Sequence, residues 1–270
     1  MSNRPRWVGD LFTAIAIAAL FGVVYLLPPD TSLAEMKQSG RLRICVPALY
    51  PPLVTGVQTA PGFDIELARA IAERLGVRLV VNSNPAMGRD FNPRNWNVTR
   101  AQCQVLGGGV IVSDLTRSFL DTTPPYLETG WALLAAEIPD GLRGKKVGFY
   151  AGVAGLDRIA LSRFLQSQKA LVEIVPSAEA LADALRTGRL DAGVSEALTA
   201  RQVAGTISAQ VAWLPESLGR YPVALGLWKG DLTLKRRMAG IIEDLESEGL
   251  TRALAQRYKI APIQATLRLD

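Results

Sequence analysis

Few residue types in this 270-residue chain can do chemistry, and they cluster in two stretches. In the first, the apolar run Cys103–Ile111 passes through Gly107, Gly108 and Gly109 and leads to Ser113 and Arg117. Glycine at a strand exit lets the backbone come close to a bound molecule. In the second, Gly188–Glu196, a strand pattern ends on a carboxylate. Taken alone, Arg117 reads as a solvated charge in a polar loop and Glu196 as a solvated acid at a strand end. The chain has no His, which excludes a His-based triad, a His metal site and an imidazole switch. Two Cys cannot build a four-thiolate zinc site. No cofactor or metal is expected. The net charge of +5 comes from scattered Lys and Arg, so nucleic acid is not an expected partner.

The elements that must position these residues follow from periodicity. Ile44–Pro47 reads as a core strand and Pro61-Gly62 as a turn. Asp64 is placed to cap a helix whose apolar face is Ile65, Ala68, Ile71, Ala72 and Leu75. Gly76 stops that helix, and Val77–Val81 forms the next strand, completing a β-α-β unit with parallel strands. In an open parallel sheet, ligands bind at the carboxyl ends of the strands. Thr31–Ser39 reads as a short helix, and Asn82–Asn97 as a polar loop holding Phe91 and Trp96. Ser177 caps a helix with Leu181, Ala184 and Leu185 on one face. Strand Tyr221–Trp228 and helices Leu234–Glu248 and Thr251–Tyr258 close the chain. A composition of 49% hydrophobic and 20% charged residues suits one large or two small globular domains.

The N-terminus carries the compartment signal. Leu11–Leu27 is apolar apart from Thr13, Gly22 and Tyr25, with Arg4 and Arg6 before it. As a helix it would span about 25 Å, near the lower limit for crossing a bilayer. The preceding Arg residues keep its N-terminus cytoplasmic. A secretory signal peptide is the competing reading. No small-x-small cleavage site follows, because the run ends in Leu26-Leu27-Pro28-Pro29-Asp30, so an uncleaved signal anchor is expected.

Three stretches together resemble family 3 extracellular solute-binding proteins, the amino-acid receptors of ABC importers. Tyr50-Pro51-Pro52-Leu53 follows the first strand, and a Gly62-Phe63-Asp64 helix ends in Leu75-Gly76. Leu142-Arg143-Gly144-Lys145-Lys146-Val147-Gly148 looks like the opening of that family's second domain. The resemblance runs from about Leu33 to about Ile260. It implies an α/β, two-lobed periplasmic-binding-protein type II fold: a clamshell with two crossovers, near Trp131 and Tyr221. The expected organisation is a cytoplasmic stub and transmembrane helix over 1–30, one lobe over 31–130 plus 223–270, and a second over 131–222.

The resemblance also implies roles. Arg117, one place later than the family's arginine, would grip a ligand carboxylate, and Glu196 would take its ammonium group. Tyr50, Phe91, Tyr126 and Tyr150 would give aromatic walls, with Trp96 as the other choice for Phe91. Gly109, Ser113, Gly152 and Val153 would line the pocket with backbone donors. Val153 stands where the family has a hydroxyl, Pro47 where it has an acid, and Leu53 where it has an aromatic residue. These departures suggest an altered ligand. Cys45 and Cys103 lie on strands that are often adjacent in this fold, so they are expected either to bond or to stay as two buried thiols.

The expected function is extracytoplasmic capture of an amino acid or organic acid for an inner-membrane ABC permease, from the periplasmic side, without catalysis. Two alternatives accompany it. Leu42-Arg43-Ile44-Cys45 and Arg94-Asn95 look like the quinoprotein-dehydrogenase-associated branch of the fold, whose members are periplasmic accessories. The fold also hosts cyclohexadienyl dehydratases, for which Glu196 and Asp114 are the candidate acids.

Overall fold

The computed structural model describes residues 13, 15–19, 30–87, 92–151, 156–260 and 262–268. Phe91, Gly152 and Val153 lie outside the described residues, as does most of the apolar run 11–27. Among the described residues, no helix is long and apolar enough to cross a membrane.

The first half-sheet is built on three parallel strands. These are β1 (Arg41–Val46), β2 (Arg78–Ser83) and β3 (Val105–Ile111), with β1 in the middle. Helix α1 (Ser32–Ser39) precedes β1, and α2 (Phe63–Leu75) connects β1 to β2. The expected β-α-β unit is therefore present. Gly40 and Gly76 end the two helices in left-handed conformation, where the missing Cβ removes the steric penalty. Asp64 does not cap α2: Gly62 holds the N-cap position, and no side chain supplies the cap bond.

The second half-sheet repeats the plan. Strands β6 (Lys146–Phe149), β7 (Leu171–Ile174) and β8 (Ala192–Glu196) are parallel, with β6 in the middle. Helices α4 (Arg158–Ser167) and α5 (Ala178–Arg186) lie between them, and α6 (Ala197–Ile207) follows β8 directly. A short helix, α3 (Asp114–Phe119), and the strand β4 (Leu120–Thr122) stand between β3 and the crossing strands.

Two long antiparallel strands join the halves. β5 (Leu127–Ala135) pairs with β10 (Arg220–Trp228) through Leu127–Gly130 and with β8 through Trp131–Leu134. β10 continues along β3. Helices α7 (Leu232–Ser247) and α8 (Leu250–Arg257) then return to the first half.

The core follows the same division. Ile44, Phe63, Leu67, Ile71, Leu225, Leu227, Met238 and Ile241 fill the first half. In the second half, successive residues of β5 serve opposite faces. Trp131 and Leu133 pack with Val147, Leu161 and Leu165, while Ala132 and Leu134 pack with Leu181, Leu190, Val203 and Trp213. This is the period-2 alternation of a strand covered on both sides.

Leu198 and the C-terminal tail also tie the halves, beyond the crossing strands. Leu198 belongs to α6 of the second half, yet it is buried in the core of the first. The C-terminal tail also leaves α8 and crosses over. Its strand β11 (Ala265–Thr266) pairs in parallel with β9 (Gln210–Trp213), and Leu267 is buried among second-half residues. The expectation that all of 223–270 belongs to the first lobe misses this tail. Its few apolar residues give no periodic signal.

Cys45 of β1 and Cys103, just before β3, are joined by a disulfide, with Cα atoms 5.6 Å apart. Around it pack Met87, Trp96 and Leu106. The bond closes a loop of 58 residues, for which chain entropy corresponds to about 4 kcal/mol. Replacing both cysteines by serine should lower unfolding stability by up to that amount in a denaturant titration; an unchanged midpoint would refute it.

Candidate ligand cleft

Tyr50, Gly109 and Glu196 sit where the two halves meet, near the carboxyl ends of β1, β3 and β8. Tyr50 follows β1 and is buried. Its ring rests against Gly109, which has φ +89°; a Cβ at that position would meet the ring at 2.5 Å. Gly108 likewise has positive φ, and Pro47 lies over it. Glycine is required at both positions, by backbone conformation and by crowding. Here the glycines let a protein side chain, Tyr50, come close.

The turn is held by Asp64. The carboxylate is fully buried, and Oδ2 accepts the N–H groups of Gly108 (2.6 Å) and Gly109 (3.2 Å). Oδ1 has no well-formed hydrogen bond among the described residues, although the Tyr126 hydroxyl lies close enough to act on the carboxylate electrostatically. The Tyr126 ring stacks on Phe63 at 5.5 Å between centroids. Burial pushes the Asp64 carboxyl up to about 6, against the pull of its hydrogen-bond donors.

Across the seam stands Glu196, the last residue of β8 and the N-cap of α6. Its carboxylate accepts the N–H groups of Leu198 (3.0 Å) and Thr199 (3.1 Å) and the hydroxyls of Thr199 and Thr129. It is fully buried, so the expectation of a solvated strand end does not hold. Helix α6 gives the reason, since its orphan N–H groups need an acceptor. Burial raises the Glu196 carboxyl despite these donors. The Tyr50 hydroxyl is also raised, by burial first and by Glu196 second, without a well-formed hydrogen bond between them.

The other predicted residues are placed differently. Ser113 caps α3, its Oγ accepting from the Thr116 N–H at 3.2 Å. Arg117 lies in the last turn of α3 and is exposed. Asp114 is exposed at the start of α3. Tyr150 follows β6 and is half-buried. Trp96 is buried beside the disulfide, as core cover. The structure thus brings together Tyr50, Gly109 and Glu196 and adds Asp64, Tyr126 and Thr129. Arg117 is not among their contacts.

Comparison with known proteins places this geometry. Residues 42–260 match the profile of bacterial extracellular solute-binding proteins, family 3. The chain belongs to that family. It is 24% identical over 265 residues to the L-cystine-binding protein TcyJ of Escherichia coli K12, covering 92% of this chain and 94% of that protein. It is 31% identical over 98 residues to the cyclohexadienyl dehydratase of Pseudomonas aeruginosa, which covers only 35% and 37%. Among solved structures, an ancestral cationic amino acid solute-binding protein (AncCDT-1) superposes with a TM-score of 0.67. It shares 21% identity and covers 84% of this chain and 99% of that one. The likeness supports the α/β type II periplasmic-binding-protein fold.

Asp64 gives a pH test. Its folded value near 6 lies above the ordinary 3.8, so folding disfavours the charged form. The stability it confers is fully present below pH 3.8 and is lost as pH rises through about 6, about 3 kcal/mol in all. The melting temperature should therefore fall between pH 4 and pH 7, and Asp64→Asn should flatten that profile. An equally steep profile in the variant would contradict the assignment.

Proposed function

We propose that this chain captures an amino acid or a related organic acid outside the cytoplasm and presents it to an inner-membrane ABC permease. The observation that carries the reading is the meeting of Tyr50 from one half with Glu196 from the other, at the carboxyl ends of both parallel strand sets. A ligand held there contacts both halves and so favours the closed arrangement over the open one. Family membership and the nearly full-length relation to a cystine-binding protein support the same reading.

In this proposal the lobes are 31–130 with 223–261 and 131–222 with the tail, and the ligand set is Tyr50, Gly109, Ser113, Arg117, Tyr150 and Glu196. Phe91, Gly152 and Val153 complete it. Glu196 takes the ligand's ammonium group in place of Tyr50's approach, and Arg117 takes its carboxylate when the lobes rearrange. The buried Tyr50 hydroxyl, without a partner among the described residues, is available to donate to a ligand oxygen. The apolar run 11–27, with Arg4 and Arg6 before it, would hold the receptor at the periplasmic face of the inner membrane. The full chain should then sediment with membranes after alkaline carbonate washing; release into the soluble fraction would remove the anchor.

A thermal-shift panel of amino acids tests the main reading. Ligand at about 100 times its Kd adds about 2.7 kcal/mol, a shift of several degrees. Arg117→Ala should abolish the shift while leaving the unliganded midpoint in place; a retained shift would count against the arginine.

The partial dehydratase relation and two buried acids with raised carboxyls keep one enzymatic reading in view. Appearance of phenylpyruvate from prephenate would support it. A blank panel together with co-purification of a periplasmic dehydrogenase would favour the accessory role instead.

A further inference from the structure

A cavity of about 740 Å³ lies between the two halves, away from the Tyr50–Glu196 seam. None of Tyr50, Gly109, Ser113, Arg117, Tyr150 or Glu196 lines it. Its walls come from three sources. Glu128 lies on β5, the strand that crosses between the halves. Arg201 and Trp213 come from the second half, on α6 and β9. Arg252 and Lys259 come from α8 and its exit, and Ile263 from the crossing tail. The tail is fixed over the cavity by Trp213, whose Nε1 donates to the Ile263 carbonyl at 3.1 Å, and by the Leu267 N–H, which donates to the Trp213 carbonyl at 2.8 Å.

The chemistry of the walls selects an occupant. Three cations, Arg201, Arg252 and Lys259, face two carboxylates, Glu128 and Glu246, so the lining is net positive. Arg201 is half-buried, and its Nε is shielded from solvent with no acceptor among the described residues. Its guanidinium lies 5.8 Å from the centre of the Trp213 ring. A donor in that position calls for an acceptor from outside the chain. The rest of the lining is mostly apolar, from Ala255, Ile260, Pro262 and Ile263. A cavity of this size, apolar with a few convergent polar groups, has the form of a small-molecule site.

We infer that this cavity is a second binding site, for a small organic anion with an apolar body. The anionic head lies on Arg201, with Lys259 and Arg252 at the rim, and the body lies under the tail against Ile260 and Ile263. Because both halves and the tail supply the walls, an occupant touches all three.

The test uses the full chain and a fluorescent anion of this class, 8-anilinonaphthalene-1-sulfonate. It should bind saturably at one site per chain. The double substitution Arg252→Glu with Lys259→Glu changes two exposed side chains and should weaken binding at least tenfold. The uncharged analogue N-phenyl-1-naphthylamine should bind wild type and variant alike. Arg201→Gln, if it gives a cooperative melt, should weaken the anion further; if it does not fold, the exposed pair decides alone. Non-saturable binding, equal anion affinity in the double variant, or complete displacement of the probe by an amino acid that stabilises the chain would each overturn the site.

Discussion

The cleft depends on one buried carboxylate. Asp64 sits at the start of α2, and its Oδ2 holds two consecutive glycine N–H groups where β3 ends. Without it, two buried donors would lose their acceptor, and the positive-φ turn would have nothing to fix its shape. The turn in turn makes room for Tyr50, and Tyr50 reaches Glu196 in the other half. A chain of contacts thus runs from the first helix of one lobe to the cap of a helix in the other. The conflict at Asp64 between burial and its donors is resolved in favour of burial, which marks the position as strained toward neutrality.

The lobes are joined more closely than two crossing strands require. The tail after α8 makes a third covalent passage and ends as a strand on the second half-sheet. Three linked segments restrict relative motion to fewer directions than two, because each must bend without breaking its strand pairing. The hydrogen bonds between β5 and β10 lie at this junction, with Gly130 opposite Arg220.

Much of this was legible in residue order. The β-α-β unit and the Gly stops follow from short-range patterns that local physics enforces, whereas the cysteine pair, 58 residues apart, is suggested only by the family resemblance, which leaves a bond and two thiols open. The site was less legible. A carboxylate at a helix start suits the orphan N–H groups there, so Asp64 reads as a cap; its glycine partners lie more than forty residues away and leave no local trace. At Glu196 the hidden part is the helix it caps, α6, whose Ala-rich, weakly periodic sequence does not announce itself. Arg117 sits in a six-residue helix too short to carry a periodic signal, so nothing local indicated which way it faces. β7, β9 and β11 have two to four residues each, below the length at which alternation can be recognised.

Leu198 carries a consequence for exchange of whatever the cleft holds. It is rooted in one lobe and buried in the hydrophobic interior of the other. Any opening that parts the lobes must draw this side chain into water, at about 2 kcal/mol for a leucine. That bias alone is about thirtyfold in population. Burial of this one side chain therefore opposes separation of the halves whether the cleft is filled or empty.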